Sequence, residues 1–109
     1  MNPELIALAR DYMALPGAPA WDVRADHWRI LDAARRYDDG IRWLRIDGDW
    51  LPDLNDAGTG GAMLDLLGCG DVFRGAGVYR VTVDDETSGD GFTLAEAVAR
   101  VAVAVGRAG

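Results

Sequence analysis

Leu51-Pro52-Asp53-Leu54-Asn55-Asp56, running on into Ala57-Gly58-Thr59-Gly60-Gly61-Ala62-Met63-Leu64-Asp65-Leu66-Leu67-Gly68, is the stretch from which the fold is read. Pro52 holds the residue before it extended, so no helix is already running at Leu51. Asn55 or Asp56 can then cap the free N–H groups of a helix starting near Ala57. Met63, Leu66 and Leu67 share one face of that helix at spacings of three and four, and Asp65 points away. Gly68 stands where a left-handed C-terminal residue is wanted. Gly58, Gly60 and Gly61 each cost about 1 kcal/mol against alanine in a helix. They are expected there because that turn packs closely on a neighbouring strand.

Upstream, Asn2 caps a first helix with Pro3 at its first position. Leu5, Leu8, Ala9 and Tyr12 give that helix an apolar stripe, and it must end before Pro16-Gly17-Ala18-Pro19, a connector. Residues 21–37 read two ways. Trp21, Ala25, Trp28 and Leu31 recur at helical spacing and Ala33-Ala34-Arg35-Arg36 favours helix, but Trp28-Arg29-Ile30-Leu31 reads equally as a strand. Ile41-Arg42-Trp43-Leu44-Arg45-Ile46 is a strand bounded by Asp39-Gly40 and Asp47-Gly48, the second able to form a tight hairpin leading back through Trp50.

Downstream, Cys69-Gly70 opens a glycine-rich loop through Gly77. Val78 to Asp84 alternate, with Tyr79, Val81 and Val83 inward and Arg80 and Thr82 outward. An acidic loop spans Asp85 to Gly91, and Thr93 with Glu96 forms a capping box for a last helix. That helix turns Leu94, Val98, Val101 and Val105 to the core, with residues 106–109 expected to fray. Helices alternating with short strands make a single α+β domain over residues 1–109, its helices packed on a small sheet as a helix–sheet–helix sandwich.

Composition narrows the function. At 109 residues with half of them apolar, the chain buries about 65% of its unfolded surface and is not globally disordered. No apolar run approaches the roughly 20 residues of a membrane helix. Met1-Asn2-Pro3-Glu4 lacks a basic leader, and the single cysteine fits a reducing interior, so a cytoplasmic location is expected. There is no lysine, and 15 of the 18 acids are aspartate. Residues 1–46 balance seven acids with seven arginines, so the whole net charge of −7 lies in residues 47–109. Such a field repels nucleic acid and membranes and attracts basic proteins or cations.

The stretches 51–67, 78–83 and 92–105, with their Pro-Asp-Leu, short leucine helix, alternating strand and Thr-Leu-Ala-Glu-Ala opening, cover about a third of the chain. Together they resemble small phage and prophage proteins grouped as the phage ABA-sandwich domain. The resemblance implies a helix–sheet–helix fold and a mobile-element origin. It implies no established activity and brings no catalytic residues.

Chemistry-bearing residues are sparse. Cys69 and His27 are the only cysteine and histidine, so a Cys/His pair is conceivable, though a cysteine between glycines is more often a packed small residue. Ser88 lies in nothing like a nucleophile elbow. Structural zinc needs about four Cys/His ligands. Asp47, Asp49, Asp53, Asn55 and Asp56 crowd together, but an EF-hand loop begun at Asp53 puts Ala57 and Leu64 at ligand positions and fails. Without lysine no Walker motif exists, and Asp53 and Asp56 would repel an anion from the helix start.

No cofactor or metal is expected, and the reading is of a non-enzymatic protein. It binds a basic protein surface through Asp47, Asp49, Asp53 and Asp56 and, in a second loop, Asp84, Asp85, Glu86 and Asp90. The most concrete partner is a nucleic-acid-binding complex of host defence, inhibited in the manner of anti-CRISPR proteins. Two alternatives stand beside it. One is nucleic-acid binding by Arg24, Arg29, Arg35, Arg36, Arg42 and Arg45 among Trp21, Trp28, Tyr37 and Trp43. The other is a small enzyme using Cys69 or an aspartate.

Overall fold

The computed structural model describes residues 1–15, 34–36, 40–68, 70–84 and 86–108. The alternatives at residues 21–33, the connector at 16–19, His27, Cys69 and Asp85 lie outside them. Element order is α1 (Pro3–Met13), β1 (Ala34–Arg36), β2 (Arg42–Ile46), β3 (Asp49–Pro52), α2 (Ala57–Leu67), β4 (Asp71–Gly75), β5 (Val78–Thr82), β6 (Ser88–Gly91) and α3 (Leu94–Ala108). The α+β class holds. Among the described residues the strands divide into two antiparallel three-stranded sheets, ordered β1-β2-β3 and β4-β5-β6.

The helix starts follow the sequence. Asn2 accepts the Leu5 amide at 2.8 Å with Pro3 in the first turn, and Leu5, Leu8, Ala9 and Tyr12 are all buried. Asp56 caps α2 by accepting the Thr59 amide at 2.9 Å, and Gly68 closes it at φ +79°. Thr93 accepts the Glu96 amide at 3.1 Å. The reciprocal bond of the capping box is displaced by one residue, because the Glu96 carboxylate accepts from the Phe92 amide at 3.2 Å.

The β2–β3 and β4–β5 hairpins each close on two residues with left-handed backbone: Asp47 and Gly48 (φ +51° and +87°), Ala76 and Gly77 (φ +53° and +77°). Positive φ at both central positions is the turn geometry whose twist matches the flanking strands. The Asp47-Gly48 hairpin was expected. The second replaces what reads as a glycine-rich loop, since β4 pairs with β5 from Asp71↔Thr82 to Gly75↔Val78. At residues 34–36, helix and strand were both open, and the chain is a strand beside β2.

α3 is the centre of the molecule, packing on α1, α2, β5 and β6. Ala95, Ala97, Val98, Ala99 and Val101 are fully buried on it. Val105, expected inward, is exposed; Val103 is buried instead. The helix continues through residues 106–108, placed by sequence in a tail.

α3 lies directly on β6, and two glycines permit it. Register pairs Gly89 with Val81 and Gly91 with Tyr79, and directly opposed residues share a face, so both glycines face the core. A Cβ at Gly89 would lie 2.6 Å from both Ala97 O and Val101 N, and one at Gly91 would lie 2.8 Å from Ala97 N. Neither glycine has positive φ. Ser88-Gly89-Asp90-Gly91, which reads as part of an acidic loop, is therefore a strand whose glycines serve close approach rather than turning.

Gly60 of α2 acts likewise, against a different element. A Cβ at Gly60 would meet Ala95 N at 2.8 Å and Leu94 Cβ at 2.9 Å, so that turn packs on the start of α3 and not on a strand. This rotates α2 so that Thr59, Gly60 and Met63 are its buried residues, and Leu66, expected inward, is 55% exposed. Residues 51–68 nonetheless decide the architecture, because they carry the chain from one sheet to the other.

Candidate functional site

The acidic residues read as a partner surface fall into two groups on different sheets. The first surrounds the β2–β3 hairpin and the turn into α2. Asp47 and Asp49 flank the hairpin tip with side chains 88% and 60% exposed, and both meet Arg10 of α1, Asp49 in direct hydrogen-bond contact and Asp47 at 3.9 Å. The tip is thereby anchored to the first helix while most of its carboxylate surface faces water.

Asp53 and Asp56 are committed to local structure. Asp53 Oδ1 accepts the Asn55 amide at 3.0 Å, and its other oxygen lies 3.7 Å from Arg42 Nε. Its side chain is only 15% exposed. Asp56 Oδ2 accepts both the Thr59 amide and the Thr59 hydroxyl, at 2.9 and 3.0 Å. The Thr59 Oγ1 in turn accepts the Arg42 amide at 2.8 Å, tying the start of β2 to the first turn of α2. The four aspartates thus do not form one equivalent patch: Asp47 and Asp49 are displayed, while Asp53 and Asp56 hold the turn.

The second group lies between β5 and β6. Asp84 Oδ1 accepts the amides of Glu86 and Thr87 at 2.8 and 2.7 Å, and these bonds hold its carboxyl below the usual carboxylate range. Asp90 takes a bidentate pair from Arg80, at 2.7 and 3.1 Å, across the β5–β6 ladder. That guanidinium lowers the Asp90 carboxyl, and the carboxylate raises Arg80. Glu86 is exposed.

Among the described residues no group of three or more His, Cys, Asp or Glu side chains converges as a metal site. The crowding of Asp47 to Asp56 in sequence is dispersed by the hairpin, which gives two of the acids to Arg10 and the rest to the helix start. No helix among the described residues is long and apolar enough to cross a membrane.

Of the arginine and tryptophan residues considered for nucleic-acid stacking, Trp43 is fully buried and so presents no ring face to a base. Arg42 is engaged with Asp53. What the sequence missed is apolar and lies elsewhere: Phe73 and Phe92 are 60% and 78% exposed, at the edge and the end of the β4-β5-β6 sheet. Phe73 was hidden because β4 reads as loop. Phe92 was hidden because an aromatic before a cap usually packs against the helix it precedes. A more telling signal was available in Val72-Phe73, an apolar pair followed by Arg74 and separated by Gly75-Ala76-Gly77 from a good strand.

The chain matches no family model, no curated protein and no solved structure in comparisons with known proteins.

Proposed function

We propose that this chain is a non-catalytic binding protein that engages a basic protein surface through the acids displayed on the β2–β3 hairpin and the β5–β6 loop. The observation that supports it best is the hairpin tip: Asp47 and Asp49 stand largely exposed on a tight turn whose position is fixed by Arg10. Rigid display lowers the ordering cost of binding, and the surplus charge of residues 47–109 supplies long-range attraction. A surface of this kind can occupy the basic groove of a nucleic-acid-binding complex in place of phosphates. Inhibition of a host defence complex by a protein of mobile-element origin is the concrete form of the proposal, in line with the resemblance carried by residues 51–67, 78–83 and 92–105.

The enzyme alternative gains no support from the two aspartates whose carboxyls are shifted, Asp84 and Asp90. Both move down, away from the raised value a general acid needs.

The test is a pull-down from host lysate followed by binding kinetics on the basic protein recovered. Neutralising variants are preferable to charge reversal at the tip, because arginine at Asp47 or Asp49 would face Arg10 and disturb the anchor. Asp47→Asn/Asp49→Asn and Glu86→Gln are expected to slow association about tenfold at low salt, with little change in dissociation, and the difference should vanish at high salt. Unchanged association at low salt for both variants would overturn the proposal.

A further inference from the structure

β4 is, among the described residues, an edge strand without the usual protections. Among the described residues it pairs only with β5; all five of its residues are exposed, and its register runs unbroken, without bulge or proline. Natural edges are commonly blunted by lysine, proline, bulges or a covering element, because open N–H and C=O groups recruit another strand. Here the edge instead carries Val72 and Phe73, 39% and 60% exposed.

We propose that β4 is the surface through which two copies of this chain associate, pairing antiparallel about a two-fold axis at Phe73. Charge permits a second copy at this edge, and the strand's own self-complementarity favours one. The chain carries −7, so two copies repel over most of their surface. β4 itself holds one Asp71 and one Arg74, and the neighbouring Arg80 is neutralised by Asp90. This balanced edge offers no net charge to a strongly basic or acidic foreign segment, while it removes the repulsion between two copies where they would meet.

Symmetry then selects the register. A two-fold axis perpendicular to the sheet places one residue opposite its own mate and keeps each side chain on its own face. Centring on Arg74 would oppose two guanidinium groups, and centring on Asp71 two carboxylates. Centring on Val72 would set Phe73 against Asp71. Centring on Phe73 opposes the two rings, sets Val72 against Arg74 and Asp71 against Gly75, and faces no like charges. The product is a continuous six-stranded sheet, β6-β5-β4-β4-β5-β6. The outward row Phe73–Arg80–Asp90 of each copy meets its mate ring to ring. One strand edge is small beside the roughly 800 Å² per partner of a stable interface, so the association is expected to be weak, with Kd on the order of tens to hundreds of micromolar.

The test is sedimentation of the full chain from about 5 μM to about 1 mM, bracketing that range. Wild type should move from 11.7 kDa towards twice that mass. Phe73→Arg, which sets two guanidinium groups on the axis, should retain the wild-type circular dichroism and weaken association at least about tenfold. Register is read by oxidation in a Cys69→Ser background. Phe73→Cys should form a disulfide-linked dimer, because antiparallel opposed Cα atoms lie about 4.5–5.5 Å apart, within disulfide reach. Phe92→Cys, as exposed but off the edge, should not. Hydrogen exchange on wild type needs no variant: amides of residues 71–75 should gain protection as concentration rises. A monomer throughout the range would overturn the proposal. So would a dimer unaffected by Phe73→Arg, equal cross-linking at residue 92, or protection that appears elsewhere.

Discussion

Gly89 and Gly61 look alike in sequence and have opposite roles. Gly89 sits in β6 under α3, where any side chain meets helix backbone at 2.6 Å, and backbone cannot swing aside as a flexible side chain can. Gly89→Ala is expected to destabilise by about 1–3 kcal/mol through overpacking. Gly61 lies inside α2 with open space for at least 4 Å around the position a Cβ would take. Gly61→Ala should therefore stabilise by up to about 1 kcal/mol, the helix-propensity difference. Urea denaturation of both variants checks the pair, and equal effects in one direction would contradict the assignment of α3 to the glycine face of β6. From sequence Gly61 was legible as unusual while Gly89 read as part of an acidic loop, because which glycine touches a neighbour depends on what lies across from it.

At the scale of the element, α2 begins with a relay that local sequence only half reveals. Asp56 as cap was expected; Thr59 as the link from that cap to the Arg42 amide was not, because Arg42 is 17 residues away. Thr59 is fully buried, so losing its hydroxyl leaves a strand amide without its acceptor. Thr59→Val should cost about 1–3 kcal/mol, and Asp56→Ala about 1 kcal/mol as an ordinary cap. Because both act through one hydrogen-bonded unit, the double variant should lose at least about 0.5 kcal/mol less than the sum. Additive losses in a double-mutant cycle would show that cap and relay are independent. The same limit explains β4 and β6: short, glycine-bearing strands have too little period to announce themselves, and their pairing partners make them strands.

At the scale of the molecule, stability against pH follows from groups on both sides of neutrality. Tyr12 is 5% exposed in the main core, and burial raises its hydroxyl to about 12 from an ordinary 10. Folded pKa above unfolded means the native state keeps its proton longer. The contribution is whole below pH 10 and is lost as pH rises through about 12, a fall on the order of 2 kcal/mol. Asp84 and Asp90 have folded values below the unfolded carboxylate. Their contribution is present above the ordinary value and is lost as pH falls through the lowered one. Chemical denaturation across pH should therefore show an alkaline loss that Tyr12→Phe removes, and an acid loss reduced in Asp84→Asn and Asp90→Asn. An alkaline limb unchanged by Tyr12→Phe would assign it to another group.

Sequence alone determined what depends on neighbours a few residues apart: the three helix starts, the stripe of α1, the Asp47-Gly48 hairpin, the alternation of β5, and the placement of all net charge after residue 46. Caps, turns and periodicity are local, so they are written where they act. The division of the strands into two sheets, the central place of α3, the exposure of Leu66 and Val105, and the pairing of Asp53 with Arg42 were decided only by tertiary packing. The reason is steric and electrostatic. A glycine becomes a contact only when a helix lies on it, and an aspartate becomes a brace or a displayed charge according to which arginine or amide the fold brings within reach.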